Sequence, residues 1–317
     1  MNAIGGYFEL ELRNTGTLYH EDAAALNSGR NALEYILTAG PRYDKVYLPY
    51  YTCDVMLQTL KRLNYTVRFY SLDSDLLPQI EGVGGSDVLV YVNYFGIVNS
   101  NVRLVYRKYR NVIIDNAQAF FIKPLKNVPT LYSPRKFFGI PDGGFAYPKG
   151  LVESRLNRDK SIGRLGHLIK RTEDGPEAGY EAFKKNDATL KRVPMRRMSS
   201  ITERLLRNID FNESMRRRNA NFQFLHRSLR KLNELSSLIE ADELRGPMAY
   251  PFLKKGNAKR RSHLHSQKIY VATYWPNVYK WSRKGSREFY MADNLLPLPV
   301  DQRYSLTEMA TILEALS

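Results

Sequence analysis

Asp87-Val88-Leu89-Val90-Tyr91-Val92-Asn93-Tyr94-Phe95 and Asn111-Val112-Ile113-Ile114-Asp115 are two apolar runs carrying polar residues near their ends. A strand covered on both faces reads as a continuous apolar run, whereas a half-solvated strand alternates. Both stretches are therefore expected to be buried strands of a parallel sheet. Working outward, Asn31 to Thr38 predicts a helix, Lys45 to Leu48 a short strand, and Cys53 to Leu63 an amphipathic helix with Val55, Leu57, Leu60 and Leu63 on its apolar side. Val67 to Tyr70 is strand-like and Val102 to Tyr109 helical, so residues 30 to about 147 alternate in the manner of an α/β fold with a mostly parallel sheet flanked by helices. Open sheets of this kind bind ligands outside the carboxyl ends of their strands, where Asn93 and Asp115 both fall.

Beyond about residue 150 the text turns Arg- and Lys-rich and helical. Met198 to Leu232 predicts one or two long helices bearing Leu205, Leu206, Ile209, Phe222 and Leu225. Residues 234 to 317 are expected to form a smaller α+β unit. Its parts would be a strand at Ile269 to Thr273, a turn at Trp275-Pro276 and a closing helix from Leu306 to Leu316 capped by Ser305 or Thr307.

The 317 residues, 43% of them hydrophobic, suffice for a large core and a second smaller one. No apolar stretch reaches membrane-spanning length and the start of the chain carries no basic-then-apolar leader, so a cytoplasmic protein without membrane insertion is expected. Cys53 is the single cysteine, which excludes an intrachain disulfide and a zinc knuckle. His167, His263 and His265 show no metal-ligand pattern and read as surface or loop residues, and no metal is expected. The formal charge of +16 indicates anionic partners: nucleic acid, an acidic membrane face or a phosphorylated small substrate. No DNA-reading motif is present, so nucleic acid is not expected.

Four stretches carry candidate chemistry. Asn27-Ser28-Gly29-Arg30-Asn31-Ala32 is a small-residue turn opening a helix, which favours a phosphate by its free amides and dipole, or is an ordinary serine cap. Pro49-Tyr50-Tyr51-Thr52-Cys53-Asp54 ends a strand at the same sheet edge, with aromatics that serve either the site or the core. Val112 to Ala119 delivers Asp115 at a strand end, suited to capping, to a metal or to a cationic ring nitrogen. Finally, Tyr132-Ser133-Pro134-Arg135-Lys136-Phe137-Phe138 leads to the pair Gly143-Gly144. A lysine embedded among such neighbours has its charged form disfavoured by desolvation and becomes a competent Schiff-base amine; the alternative is a surface lysine in a loop.

Taken in order, these stretches resemble the DegT/StrS family of sugar aminotransferases, within the fold-type-I enzymes that use pyridoxal 5'-phosphate. The family's order is a Ser-Gly turn, a Pro-x-x-Thr segment, an Asp-x-Ala-(His or Gln) strand end and a Ser-containing loop with the lysine and a Gly-Gly pair. Ser28-Gly29, Pro49 to Thr52, Asp115 to Gln118 and Ser133 to Gly144 match it. A fainter likeness extends to Arg197-Met198-Ser199, to Arg217-Arg218-Asn219 and to Leu298 through Tyr304.

The resemblance implies a fold-type-I transferase with a large cofactor-binding α/β domain over 1–205, followed by linking helices and a small C-terminal domain over 206–317. It implies that Lys136 holds the cofactor as a Schiff base and moves protons at the substrate carbon. Asp115 would pair with the pyridine nitrogen, and Gln118 would contact the ring or its phenolic oxygen. Ser28, the amides of Gly29 and Arg30, and Ser133 would hold the phosphate. Asn93 and Cys53 complete the expected cofactor set; Cys53 stands where the family commonly stacks an aromatic ring, leaving Tyr51 or Tyr94 to stack if anything does. Arg30 replaces a small residue, which signals either an added phosphate contact or a rearranged turn.

The implied reaction is amino transfer from an amino acid, glutamate by expectation, to a nucleotide-linked keto-sugar for surface polysaccharide or related glycan synthesis. The implied assembly is a homodimer, with Arg196, Asn219 and the 160 to 195 segment as candidates for residues given to the partner. Alternatives are a dehydratase or eliminase acting on a sugar, and a non-catalytic nucleic-acid-binding regulator.

Overall fold

The two apolar runs lie at the centre of an eight-stranded sheet. The protein is described here by a computed structural model covering residues 6–12, 16–149 and 156–317. In chain order the elements of the first half are β1 (Ala24–Leu26), α1 (Gly29–Ala39), β2 (Lys45–Pro49), α2 (Asp54–Arg62), β3 (Thr66–Leu72), β4 (Pro78–Gln79), β5 (Val88–Val92), α3 (Asn99–Lys108), β6 (Val112–Asp115), β7 (Thr130–Tyr132) and β8 (Gly144–Tyr147). The strand order is β1-β8-β7-β6-β5-β2-β3-β4. Pairings from β3 through β2, β5 and β6 to β7 are parallel, while β8, β1 and the short β4 join antiparallel at the margins.

Alternate residues of a strand face opposite sides of its sheet. Leu89 and Tyr91 of β5 and Val112 and Ile114 of β6 enter one core, while Val88, Val90 and Ile113 enter another on the far face. The far core is closed by Ala32, Leu33 and Ile36 of α1 and by Met56 and Leu60 of α2. With both faces dry, these strands have no polar side to show, which is why they are unbroken apolar runs.

The second half contains α4 (Gly166–Asp174), α5 (Pro176–Leu190), α6 (Ser200–Arg207), α7 (Phe211–Leu229), β9 (Ala249–Leu253), α8 (Asn257–Ser266), α9 (Val278–Trp281), α10 (Arg287–Asn294), β10 (Leu295–Pro299) and α11 (Leu306–Leu316). The helical text from Met198 to Leu232 resolves into α6 and α7. Asp210 restarts the helix, its carboxylate accepting the Glu213 N–H at 2.8 Å. Ser305 caps α11 in a capping box with Glu308, as one of the two expected caps. Phe222 and Leu225 of α7 and Leu296 and Leu298 of β10 pack into the same core as Leu89 and Tyr91, so the two halves share one apolar interior. No helix of the described residues is long and apolar enough to cross a membrane.

One sequence expectation fails here. Ile269 to Thr273 is not a strand; the second sheet is the antiparallel ribbon of β9 and β10. Prolines at 251, 297 and 299 disguise it, because proline cannot donate to a ladder. The register resolves the conflict. Pro297 lies opposite Pro251 and Pro299 opposite Ala249, in step with Leu295 opposite Leu253. Leu253 turns its N–H to Asn233 Oδ1 (3.0 Å) and its carbonyl to the Glu234 N–H (2.9 Å), away from β10. Opposed residues alternate between bonded and non-bonded pairs, so all three prolines occupy non-bonded positions, where no N–H is missed.

Asn233 thereby serves as the third rail of the ribbon. Its carbonyl oxygen accepts the Leu235 and Leu253 N–H groups, and its amide donates to the Pro251 carbonyl and the Tyr250 hydroxyl. Asn233→Ala leaves several buried groups unpaired, and is expected to lower unfolding free energy by at least about 2 kcal/mol. Urea denaturation followed by circular dichroism checks this.

Candidate active site

The parallel strands bring their carboxyl ends to one edge, and β1, running the same way as β7 through the intervening antiparallel β8, ends there too. That edge collects the Asn27-Ser28 turn after β1, the Tyr50–Cys53 segment after β2, Asn93 after β5, Asp115 at the end of β6 and Ser133 after β7. The sheet topology therefore assembles, from segments over 100 residues apart in sequence, the stretches singled out from sequence.

An amide network fixes the middle of the edge. Asn93 donates through Nδ2 to Asn99 Oδ1 (2.9 Å) and Asn116 Oδ1 (3.1 Å), and Asn116 donates to the Tyr132 hydroxyl (3.1 Å). Asn93 is fully buried and only its Oδ1 remains without a partner. Gln118, also buried, accepts the Phe95 N–H at Oε1 (2.9 Å), which leaves its Nε2 a buried donor without a partner. Phe95 holds φ = 56°, a left-handed conformation that is a genuine outlier for so bulky a residue, and such strain gathers at functional sites.

Asp115 is buried, and its carboxylate accepts the Ala117 N–H at 2.8 Å. Burial raises the affinity of this carboxyl for its proton above the ordinary value; the positive charge of Lys136 and the Ala117 N–H oppose that rise. Burial also pushes the Cys53 thiol up, against the same Lys136 charge. Lys136 thus stands near enough to Asp115 and Cys53 for its charge to act on both.

Lys136 ends a short 3₁₀ turn, Pro134–Lys136, and its side chain is exposed. This corrects the expectation of a lysine embedded in apolar surroundings. The aromatic neighbours that suggested it, Phe137 and Phe138, turn into the core, while Lys136 itself stays exposed. On the preceding side, Arg135 is held by Asp187 of α5 at 3.4 Å.

The phosphate-turn candidate has the geometry of a cap. Ser28 Oγ accepts the Asn31 N–H at 3.1 Å, and the turn is not rearranged around Arg30. Arg30 directs its guanidinium to the Lys191 carbonyl (2.9 Å). The turn is pressed against its neighbours: a Cβ on Gly29 would meet Ser133 Cβ at 3.3 Å, and one on Gly144 would fall 2.3 Å from the Ser28 carbonyl oxygen. Only glycine permits that approach at 144, so the Gly-Gly pair seats Ser28 beside Ser133.

Tyr51 and Tyr94 are fully enclosed in the core, ring centroids 5.7 Å apart, with the Tyr94 hydroxyl donating to the Tyr51 carbonyl. They read as walls of the edge. The Tyr51 hydroxyl has no partner. Asn219, a candidate for donation to a partner subunit, spends its amide on Leu244 and Gly246 of its own chain. His167 is buried against Phe183, contrary to the surface position expected, while His263 and His265 are exposed. Among the described residues, no group of three or more His, Cys, Asp or Glu side chains is placed to hold a metal.

Sequence reasoning gave no role to Asn27, to Asn116 or to the cleft beside Asn27. Asn27, fully buried, donates to Asp159 Oδ2 (3.0 Å) and the Pro194 carbonyl. Behind it opens a cavity of about 720 Å³, lined by Lys160, Lys185, Lys191, Arg192 and Arg196 around Asp159. The Arg- and Lys-rich text beyond residue 150 gave a signal, but nothing local tied it to the Ser28 turn.

A pyridine-type cofactor fits what is present: a buried carboxylate to meet a cationic ring nitrogen, an unpartnered buried amide donor three residues on, and a lysine near the carboxylate. No family model matches the sequence, and no curated protein matches it. Solved structures do. CalS13 from Micromonospora echinospora, a sugar aminotransferase, is similar with a TM-score of 0.63 at 17% identity over 93% of this chain and 87% of its own. A DegT DnrJ EryC1 StrS aminotransferase from Brucella abortus gives 0.60 at 14% over 92% and 84%. Spr1654 from Streptococcus pneumoniae, assigned as a sugar aminotransferase and solved in its PLP form, gives 0.63 at 16% over 92% and 85%. The chain has the fold of the DegT/StrS-type sugar aminotransferases, the fold that the four stretches implied.

The Asp115 arrangement has a thermodynamic consequence. Because burial raises its folded pKa above the unfolded one, the ionised carboxylate opposes folding once pH exceeds the ordinary value near 3.8. Asp115→Asn keeps an acceptor for Ala117 and removes the charge. It is expected to melt higher than the parent at about pH 7.5, the gain shrinking as pH falls toward 3.8. Scanning calorimetry across that range checks it.

Proposed function

We propose that the protein is a pyridoxal-phosphate-dependent aminotransferase that moves an amino group from an amino acid, glutamate by preference, to a keto-sugar carried on a nucleotide. The observation that carries this reading is Lys136 near the buried Asp115 at the carboxyl edge of a sugar-aminotransferase fold. The neighbour Spr1654 has been solved in PLP and PMP forms, which supports the same cofactor here. The balance is simple: donor amino acid and keto-sugar become 2-oxo acid and amino-sugar.

Bound at this edge, the cofactor would supply an electron sink for the carbanion left when the donor loses its Cα proton. The chain's own residues do the rest. Asp115 supplies the anion that keeps the ring nitrogen protonated, and Gln118 offers Nε2 as a donor. Ser28, Ser133 and the first-turn amides of Gly29 and Arg30 bind phosphate at the N-terminus of α1. Asn93 and Cys53 line the same edge, Asn93 with its free Oδ1. Lys136 Nζ takes the proton from the donor Cα and delivers one to the sugar carbon that receives nitrogen. Retention of Lys136 favours transamination over dehydration.

The assembly we propose is a cytoplasmic homodimer, with a large domain over 1–205 and the linking helices and small domain over 206–317. The 160 to 195 segment and Arg196 of one copy would face the site of the other. The basic cleft suits the diphosphate of a nucleotide-sugar. Glycan or surface polysaccharide synthesis is the process that would use such a product.

Purified chain mixed with pyridoxal phosphate is expected to develop a band at roughly 410 to 430 nm, the signature of a conjugated imine. Borohydride reduction and peptide mapping should place the adduct on Lys136, and Lys136→Ala should lose it. No band and no reducible adduct in the parent chain would defeat the reading. With a working donor and acceptor, Lys185→Ala combined with Arg192→Ala should raise the acceptor KM about ten-fold and flatten its salt dependence while leaving the donor KM unchanged. An unchanged acceptor KM would remove the cleft from the site.

A further inference from the structure

Arg218 is among the largest side chains fully buried in the protein. It sits on α7, and its guanidinium is spent entirely on neutral groups. Nε donates to Gln302 Oε1 (2.8 Å), Nη1 to the carbonyls of Pro247 (3.1 Å) and Met248 (3.4 Å), and Nη2 to the carbonyl of Phe137 (3.2 Å). The cation also stands 4.6 Å from the Phe137 ring centroid. Gln302 closes the figure, donating through Nε2 to the same Phe137 carbonyl at 2.8 Å.

A buried charge without a bonded counter-ion is expensive, and a lone ion costs more than a neutral packing residue of the same size. Asp301 acts on Arg218 only as a nearby charge, its carboxylate being bound bidentately by Arg303. Burial pulls the Arg218 guanidinium down to about 10. A cation kept under these conditions, with its donors divided among three separate segments, is placed for geometry. All the segments it gathers lie near or beyond residue 218 except one, and that one is the residue that follows Lys136.

We infer that Arg218 and Gln302 are positioning residues for Lys136: together they clasp the Phe137 carbonyl and fix the backbone from which the lysine projects. The clasp rests on the reading of Lys136 as the cofactor-binding lysine. Since the Lys136 side chain is exposed, its precision has to come from its backbone anchor. The clasp supplies that anchor on the C-terminal side, as the Arg135–Asp187 pair does on the N-terminal side. It also ties the lysine turn to the second half of the chain, so a shift of β9 or of the segment after β10 reaches Lys136 through one carbonyl.

The test uses full-length chain and two variants that separate position from stability. Arg218→Met replaces the buried charge by an apolar side chain, and Gln302→Glu pairs Arg218 while withdrawing the donor from Phe137. Gln302→Glu is expected to melt near the parent, while Arg218→Met, which leaves the Pro247 and Met248 carbonyls and Gln302 Oε1 without their donor, is expected to melt lower. Both should weaken the spectroscopic binding of pyridoxal phosphate about ten-fold or more, as misplacement of a reacting group does. Borohydride label should spread from Lys136 to other lysines, and the pH midpoint of the absorbance band should move, a change that a purely structural role does not produce. A variant that melts like the parent and keeps its affinity, label position and pH midpoint overturns the clasp. Hydrogen exchange decides independently of the cofactor. Amides of residues 137 and 138, bonded to the Pro134 carbonyl, should exchange slowly in the parent and at least ten-fold faster in Gln302→Glu, and equal rates in the two overturn the inference. Absence of any label in the parent would remove the cofactor reading and leave the exchange result to judge the clasp.

Discussion

A carboxylate held out of water at the end of an apolar strand constrains the whole sheet edge. Asp115 cannot be solvated where it lies, so its surroundings have to offer charge or donors in place of water. One donor comes from its own backbone two residues on, and one positive charge comes from the turn after the neighbouring strand. Such a group is tolerated because the flanking strands are themselves locked. The Asn93, Asn116 and Tyr132 relay leaves the edge no freedom to relax around the charge. The site is therefore stiff in its floor and open at its lysine.

That division of labour recurs outward from the edge. Ser28 is immobilised by a helix cap and by a glycine contact that admits no side chain, while Arg30 next to it is tethered to the α5–α6 connection. Groups that would bind are carried by short turns, and each turn is pinned by a partner distant in sequence. Loops that carry function on a rigid scaffold follow this pattern generally.

Much of the parallel sheet was legible in the sequence because most of its strands are dry on both faces: β2, β5 and β6 announce themselves as apolar runs, β3 is strand-like though half exposed, and α1 and α2 show by their periodicity. Ser28, Asp115, Gln118 and Ser133 were legible as strand-end or helix-start residues, and the structure brings them to one edge. The environment of Lys136 was misread, since local aromatic neighbours say nothing about which way each side chain leaves a 3₁₀ turn. The β9–β10 ribbon was hidden by prolines whose harmlessness depends on register, a property of two strands and not of one. Arg218 entered only through the fainter likeness at Arg217-Arg218-Asn219, and tertiary packing sets it apart from the exposed Arg216 and Arg217. The long-range contacts of Asn27 were invisible for the same reason.

The proline register of the ribbon has a bearing on how the protein behaves in company. A two-stranded sheet has two open sides, each able to recruit a further strand from another molecule. On the β9 side, Asn233 already occupies the outward groups of Pro251 and Leu253. On the β10 side, the outward positions are Leu295, Pro297 and Pro299, and the latter two have no N–H to give. The same alternation that lets prolines into the ribbon without loss removes the donors an incoming strand would need. The smaller of the two sheets among the described residues is closed to growth by its own residues.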